Sequence, residues 1–166
     1  MSRCTKVAGL ALGIWALAPH AGAQAVPDHV AQGDAAYDQR RPRDAREHFL
    51  QAIAADSTRY DAQWKASRVE VDLAEATPRG AAMDSLMAAA QRHAEAAIRI
   101  SGRDAEGHFS LARALGRKAL SVGTMDRIRY SKIVRSEALE APKYDSTHAG
   151  ALHRDAPMIA RPTGRG

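Results

Sequence analysis

Small and large apolar residues alternate at helical spacing along most of the chain. In the first clear example, Gly33 and Tyr37 are followed by Ala45, Phe49 and Ala52. Intervals of three and four residues, and their sums, place these side chains on one face of an α-helix. Because three of these five residues have small side chains, a second helix can approach the face closely. The pattern therefore predicts pairs of closely packed antiparallel helices.

The same pattern occurs three times. The first helices begin at Val30, Trp64 and Phe109, and a small residue follows three positions later, at Gly33, Ser67 and Ala112. The second helices carry corresponding residues at Ala45, Ala90 and Val134, at Phe49, Ala94 and Ala138, and at Ala52, Ala97 and Ala141. The first-helix positions are 34 and then 45 residues apart, and the second-helix positions are 45 and then 44 apart. Turns around Ser57, Gly102 and Ser146 end the units, which predicts three helical hairpins.

Residues 26–59 resemble a tetratricopeptide repeat through Gly33, Tyr37, Ala45, Phe49 and Ala52, with Ser57 where proline is usual. The resemblance implies an all-α fold, a tetratricopeptide-like helical-hairpin solenoid (α-α superhelix). About three repeats are expected, at approximately 26–59, 60–104 and 105–148. The last two are elongated by about ten residues each, around "ATPRG" (76–80) and "SVGT" (121–124).

A narrower resemblance covers approximately residues 28–153. The run 111–141, together with "WKASR" (64–68), is similar to bacterial relatives of the regulator of microtubule dynamics proteins. Those relatives are tetratricopeptide-type helical proteins without an assigned active site, and eukaryotic members associate with microtubules, membranes or lipids. The resemblance implies a helical adaptor and not an enzyme.

The first 25 residues have the layout of a secretory signal peptide. Arg3 and Lys6 precede an apolar run of 12 residues, Val7 to Ala18, and small residues follow around Ala23 and Ala25. The run is shorter than the roughly 20 residues that a membrane-spanning helix needs. We therefore expect an exported protein, periplasmic or secreted, with no membrane span after signal cleavage. Cys4, the single cysteine, would be removed with the signal, which leaves no disulfide.

The C-terminal region departs from the repeat pattern. Pro142 stands where the first unit has Ile53, so we expect the last helix to end or kink at about Ala141. "STHAGALH" (146–153) begins like the start of another unit, but prolines and glycines follow it. Residues 149–166 are therefore expected to be an aborted fourth repeat and a disordered tail. This ending favours a truncated form of a longer repeat protein over an exposed end that docks on a partner.

Neither charge nor motifs indicate catalysis or nucleic-acid binding. The formal charge of +5 falls to about +1 for residues 26–150, because the signal and the tail hold most of the excess arginine and lysine. The histidines lack zinc-site spacing, and there is no nucleophile elbow, phosphate loop or dinucleotide fingerprint. We expect no catalytic residue, no metal site, no cofactor and no nucleic-acid partner.

A binding role is better supported. Inward positions of the first helices would line one surface of the array, and they include Tyr37, Lys65, Arg68, Arg113 and Arg117. Arg68 and Arg113 occupy equivalent positions and could hold a carboxylate or phosphate by bidentate hydrogen bonds. The alternative is that carboxylates such as Asp72 or Glu106 neutralise them. The chain is thus predicted to be a protein-interaction module or scaffold for a protein or peptide, and the alternative function is a lipid or hydrophobic-ligand carrier.

Overall fold

The structure, a computed structural model, describes residues 28–145, and in that part of the chain it contains only α-helices. The predicted all-α class is confirmed. The helices are α1 (His29–Asp38), α2 (Pro42–Ala55), α3 (Tyr60–Glu75), α4 (Ala81–Ile100), α5 (Ala105–Ala119) and α6 (Thr124–Tyr144). The predicted signal peptide and the residues 149–166 lie outside the described residues.

Local sequence explains where several helices begin. The Asp28 carboxylate accepts hydrogen bonds from the first backbone N–H groups of α1, and Asp104 does the same for α5. Pro42 occupies the first position of α2, where a missing N–H has no consequence. The longer units contain longer helices, since α4 and α6 have 20 and 21 residues against 14 in α2.

Each helix packs against the next one along the chain, which gives the three hairpins α1–α2, α3–α4 and α5–α6. In addition, α3 lies against α5 and touches α1, so the first helices of the hairpins are neighbours. The core follows the repeated positions: Ala45, Phe49, Ala90 and Ala94 are all 0% exposed.

The two helices of the first hairpin approach most closely at Gly33. A Cβ atom on this residue would overlap the ring of Phe49 on α2. Phe49 is itself fully buried, so the ring has no free space to move into. Glycine at this position therefore sets the distance between α1 and α2.

A pair of polar residues recurs in all three hairpins and joins the first helix to the second. The pairs are His29 with His48, Gln63 with His93, and His108 with Glu137. Their members repeat at the intervals found for the apolar positions, 34 and 45 in the first helices and 45 and 44 in the second. The first pair is a ring stack with centroids 6.1 Å apart, and the other two pairs are hydrogen bonds of 2.9 and 2.7 Å.

The second and third of these pairs each make a further contact of the same kind, with a backbone carbonyl. Gln63 donates to the backbone carbonyl of Ser57 at 2.9 Å, and His108 Nε2 lies 3.1 Å from the carbonyl oxygen of Gly102. Each carbonyl belongs to the turn six residues earlier in the chain. The internal repetition therefore extends from the apolar pattern to individual polar contacts.

The last helix, which was expected to end or kink at about Ala141, does not end there. The helix α6 includes Pro142 and ends at Tyr144. Proline this near the C-terminus removes one hydrogen bond only, and the Asp145 N–H still bonds the Ala141 carbonyl at 3.1 Å. Ala141 is completely buried, so packing holds the final turn in place.

We expect Gly33→Ala to lower the free energy of unfolding by about 1–2 kcal/mol, because the added methyl group must displace the Phe49 ring. Urea denaturation followed by circular dichroism measures this. The matched control is Gly116→Ala on α5, where a Cβ meets nothing within 4 Å. There alanine should stabilise the helix by roughly 0.5–1 kcal/mol. Equal effects of the two substitutions would contradict the close approach.

Candidate functional site

The five residues predicted to bind a partner lie on three neighbouring helices. Tyr37 lies on α1, Lys65 and Arg68 on α3, and Arg113 and Arg117 on α5. Contacts among them and three carboxylates join these helices side by side. We call this surface the α1/α3/α5 face and define it by Asp34, Tyr37, Lys65, Arg68, Asp72, Glu75, Arg113 and Arg117.

Asp72 is the centre of the α1/α3/α5 face. It accepts a hydrogen bond of 2.7 Å from the Tyr37 hydroxyl on α1 and one of 2.5 Å from Arg113 on α5. Burial, together with the hydrogen bond to the Asp72 carboxylate, raises the pKa of Tyr37. One carboxylate on α3 thus holds side chains from both neighbouring hairpins.

The other cations of the face also have carboxylate partners, with one exception. Lys65 Nζ lies 2.6 Å from Asp34 Oδ2, and Arg117 Nε lies 2.8 Å from Glu75 Oε1. Arg113 contacts Glu75 as well, at 3.5 Å. The alternative of neutralisation by carboxylates therefore applies to Arg113, which is not available as one half of an arginine pair that grips a ligand.

Arg68 is the exception. Its guanidinium carbon lies 4.3 Å from the centre of the Tyr37 ring and 5.1 Å from that of Trp64. Its Nε is buried without a hydrogen-bond partner, and no ion pair to Arg68 occurs among the described residues. Two aromatic rings hold this cation by cation–π contacts, while three carboxylates neutralise the three other cations of the face.

Sequence reasoning missed part of this site. The sequence pattern placed Asp72 among the carboxylates that could neutralise the arginines, but it did not assign Glu75 or Trp64 to this site. In the structure Trp64 is half-buried and lies beside Lys65 and Arg68. The interval of four between Arg68 and Asp72 shows that both lie on one side of α3. It does not show which cation the carboxylate binds, because that partner comes from α5.

A second group of ionisable side chains is buried inside the molecule. Glu70 on α3 is 0% exposed, and its Oε1 lies 3.0 Å from Arg46 Nε on α2 and 3.8 Å from His93 Nε2 on α4. The second oxygen, Oε2, has no hydrogen-bond partner. Burial of a carboxylate with one unsatisfied oxygen favours its neutral form. Burial raises the pKa of Glu70 to about 7, although Arg46 opposes the shift, and burial lowers the pKa of His93 to about 4.

The raised pKa makes stability depend on pH. The folded protein holds the Glu70 proton more tightly than the unfolded chain does, whose carboxyl group titrates near 4.5. The contribution of protonated Glu70 to the free energy of unfolding is therefore complete below about pH 4.5, and it is lost as the pH rises through about 7. His93 acts in the opposite direction, because the unfolded chain binds its proton more tightly between about pH 4 and 6.5.

We expect Glu70→Gln to become more stable relative to the original protein as the pH rises from 5 to 8. The amide resembles the protonated carboxyl and does not ionise, so the difference in unfolding free energy should change by up to ~3 kcal/mol. Urea denaturation at both pH values measures it. Glu47→Gln, at an exposed position of α2, is the control and should show no such change. A difference for Glu70→Gln that stays constant over this range would contradict the raised pKa.

Two kinds of feature are absent from residues 28–145. No group of three or more histidine, cysteine, aspartate or glutamate side chains is arranged there to hold a metal ion. None of the helices in this part of the chain combines the length and the apolar character needed to cross a membrane.

The family model described as regulator of microtubule dynamics protein 1-3 matches residues 29–154, which is most of the chain. The sequence-based resemblance to this family is thereby confirmed at the level of the family. No curated protein matches the sequence.

Proposed function

The chain belongs to the regulator of microtubule dynamics protein 1-3 family, and we propose that it is a non-catalytic protein-interaction module or scaffold. The proposed architecture is a tetratricopeptide-like solenoid, in which the first helices of stacked hairpins line one binding surface. The recurring polar pairs and the adjacency of α1, α3 and α5 support this arrangement. The proposed partner is a peptide segment that presents a carboxylate group to the α1/α3/α5 face.

The observation that carries this proposal is that Arg68 contacts two aromatic rings and forms no ion pair among the described residues. A guanidinium held between two rings has lost much of its rotational freedom before a ligand arrives, so binding orders it at little further entropic cost. Its planar donors match the two oxygens of a carboxylate. Because carboxylates already neutralise Lys65, Arg113 and Arg117, an incoming anion meets unbalanced positive charge at Arg68.

Export is a further part of the proposal and rests on residues 1–25. Expression of the complete chain in a bacterial host, followed by N-terminal sequencing of the periplasmic protein, tests it directly. A mature N-terminus near residue 26 is the expected result. Recovery of the intact chain from the cytoplasm would contradict export and would leave the binding proposal untouched.

The binding proposal is tested by selecting displayed peptides on the complete chain and measuring their affinity by fluorescence anisotropy. We expect selected peptides to carry Asp, Glu or a free C-terminus. Arg68→Gln should weaken binding by about tenfold or more, because a hydrogen-bonded ion pair contributes roughly 1.5–3 kcal/mol. Arg68→Lys keeps the charge but lacks the planar donors. The affinity of this variant for the peptide should therefore lie between that of Arg68→Gln and that of the original protein.

The matched control is Arg135→Gln on α6, an exposed arginine that lies outside the α1/α3/α5 face. Circular dichroism should show that all three variants keep the helical fold. Selection of no peptide, or equal loss of affinity with Arg68→Gln and Arg135→Gln, would contradict the proposal. Extractable lipid that copurifies stoichiometrically with the chain would favour the carrier function instead.

A further inference from the structure

The greater length of the second hairpin creates a groove beside the first. The repeat intervals of 34 and 45 match Asp38 to Asp72 and Pro42 to Met87, so residues 39–41 of the first unit correspond to residues 73–86 of the second. This extension of the second hairpin forms one wall of an open groove of about 750 Å³, and the start of α2 forms the other wall. A groove of this volume lies within the size range of small-molecule sites.

The two walls of the groove have different chemistry. The wall formed by the extension is mostly apolar and consists of Leu73, Ala76, Thr77 and Leu86. The wall formed by the start of α2 is mostly cationic and consists of Arg41, Pro42, Arg43, Asp44 and Arg46. A ligand that matches both walls therefore carries an anionic group next to an apolar part.

Two of the three arginines are available to such an anion. Arg41 is already neutralised, because its Nη1 lies 2.8 Å from Asp44 Oδ2. Arg43 is exposed and forms no ion pair among residues 28–145. Arg46 donates a hydrogen bond from Nε to Glu70 Oε1, and its guanidinium makes no other hydrogen bond to the described part of the chain. The Nη donors of Arg46 and the guanidinium of Arg43 are thus left for a ligand.

We propose that this groove binds a small organic acid, whose carboxylate lies between Arg43 and Arg46 and whose apolar part lies on the wall formed by the extension. Protonation of Glu70 strengthens the binding. An ionised Glu70 neutralises Arg46, whereas a neutral Glu70 leaves the charge of Arg46 to the ligand. The coupling is reciprocal, so the bound acid also makes Glu70 hold its proton more tightly. This inference does not depend on ligand binding by Arg68.

The other charged and titratable groups around Glu70 do not change their charge between pH 6 and 8. Arg46 on α2 and Arg92 on α4 stay protonated over this range. His93 on α4 stays neutral, because burial lowers its pKa to about 4. Among these groups, only Glu70 itself titrates here, since burial raises its pKa to about 7.

Isothermal titration calorimetry of the complete chain with phenylbutyrate at pH 6 tests the site. We expect this acid to bind, and we expect acetate and phenylbutanol to bind at least tenfold more weakly, because each lacks one of the two matching parts. Arg43→Gln should weaken the binding of phenylbutyrate by about tenfold, since a hydrogen bond to a charged group is lost. The matched control is Arg99→Gln, an exposed arginine of α4 outside the groove, which should bind as the original protein does.

The same titration at pH 8 tests the role of Glu70. The carboxylate of phenylbutyrate is ionised at both pH values, so the probe itself does not titrate. The affinity should fall severalfold from pH 6 to pH 8, and a single group with a pKa of about 7 limits the fall to about tenfold. Glu70→Gln cannot ionise at this position, so its affinity should be the same at both pH values. Circular dichroism checks that each variant is folded under both conditions.

The two parts of the proposal are overturned by different results. Absence of phenylbutyrate binding, equal binding of phenylbutanol, or equal losses with Arg43→Gln and Arg99→Gln would overturn the site in the groove. Equal affinity of the original protein at pH 6 and pH 8, or the same fall in affinity with Glu70→Gln, would overturn the coupling to Glu70.

Discussion

The close approach of two helices within one hairpin is the constraint on which the rest of the molecule depends. Gly33 leaves room for the Phe49 ring, and small residues occupy the equivalent positions of the longer hairpins. Once two helices lie this close, their register is fixed, and residues such as Gln63 and His93 meet across them. The additional residues of the second and third units lengthen the helices away from this contact without disturbing it.

The helix α3 takes part in more of the structure than any other described helix, because it packs against α1, α2, α4 and α5. Its two polar sides have different environments. Asp72 is half-buried and Glu75 is exposed, and both bind cations of the next hairpin. Glu70 is enclosed, and Arg46 and His93 approach it from either side. The same helix therefore positions a candidate binding surface and a buried group whose ionisation opposes folding.

The contrast between Arg68 and Arg113 shows how position changes the chemistry of equivalent residues. Both occupy the same position of the repeat. Arg113 contacts the carboxylates of the preceding hairpin, and Arg68 does not. The residue that precedes Arg68 by one unit is Asp34, and Lys65 already occupies its carboxylate. Arg68 instead lies between Tyr37 and Trp64, where cation–π contact stabilises the guanidinium without removing its charge.

The sequence alone determined the all-α class, the three hairpins and the residues that recur at 34, 45 and 44 positions, because helical periodicity and residue size are local properties. It could also have identified the polar pairs, since His48, His93 and Glu137 follow those same intervals. Tertiary structure decided which carboxylate neutralises which arginine and which glutamate loses contact with water. Those outcomes depend on distances between helices far apart in the chain, and a difference of a few ångströms there separates an ion pair from an unpaired charge.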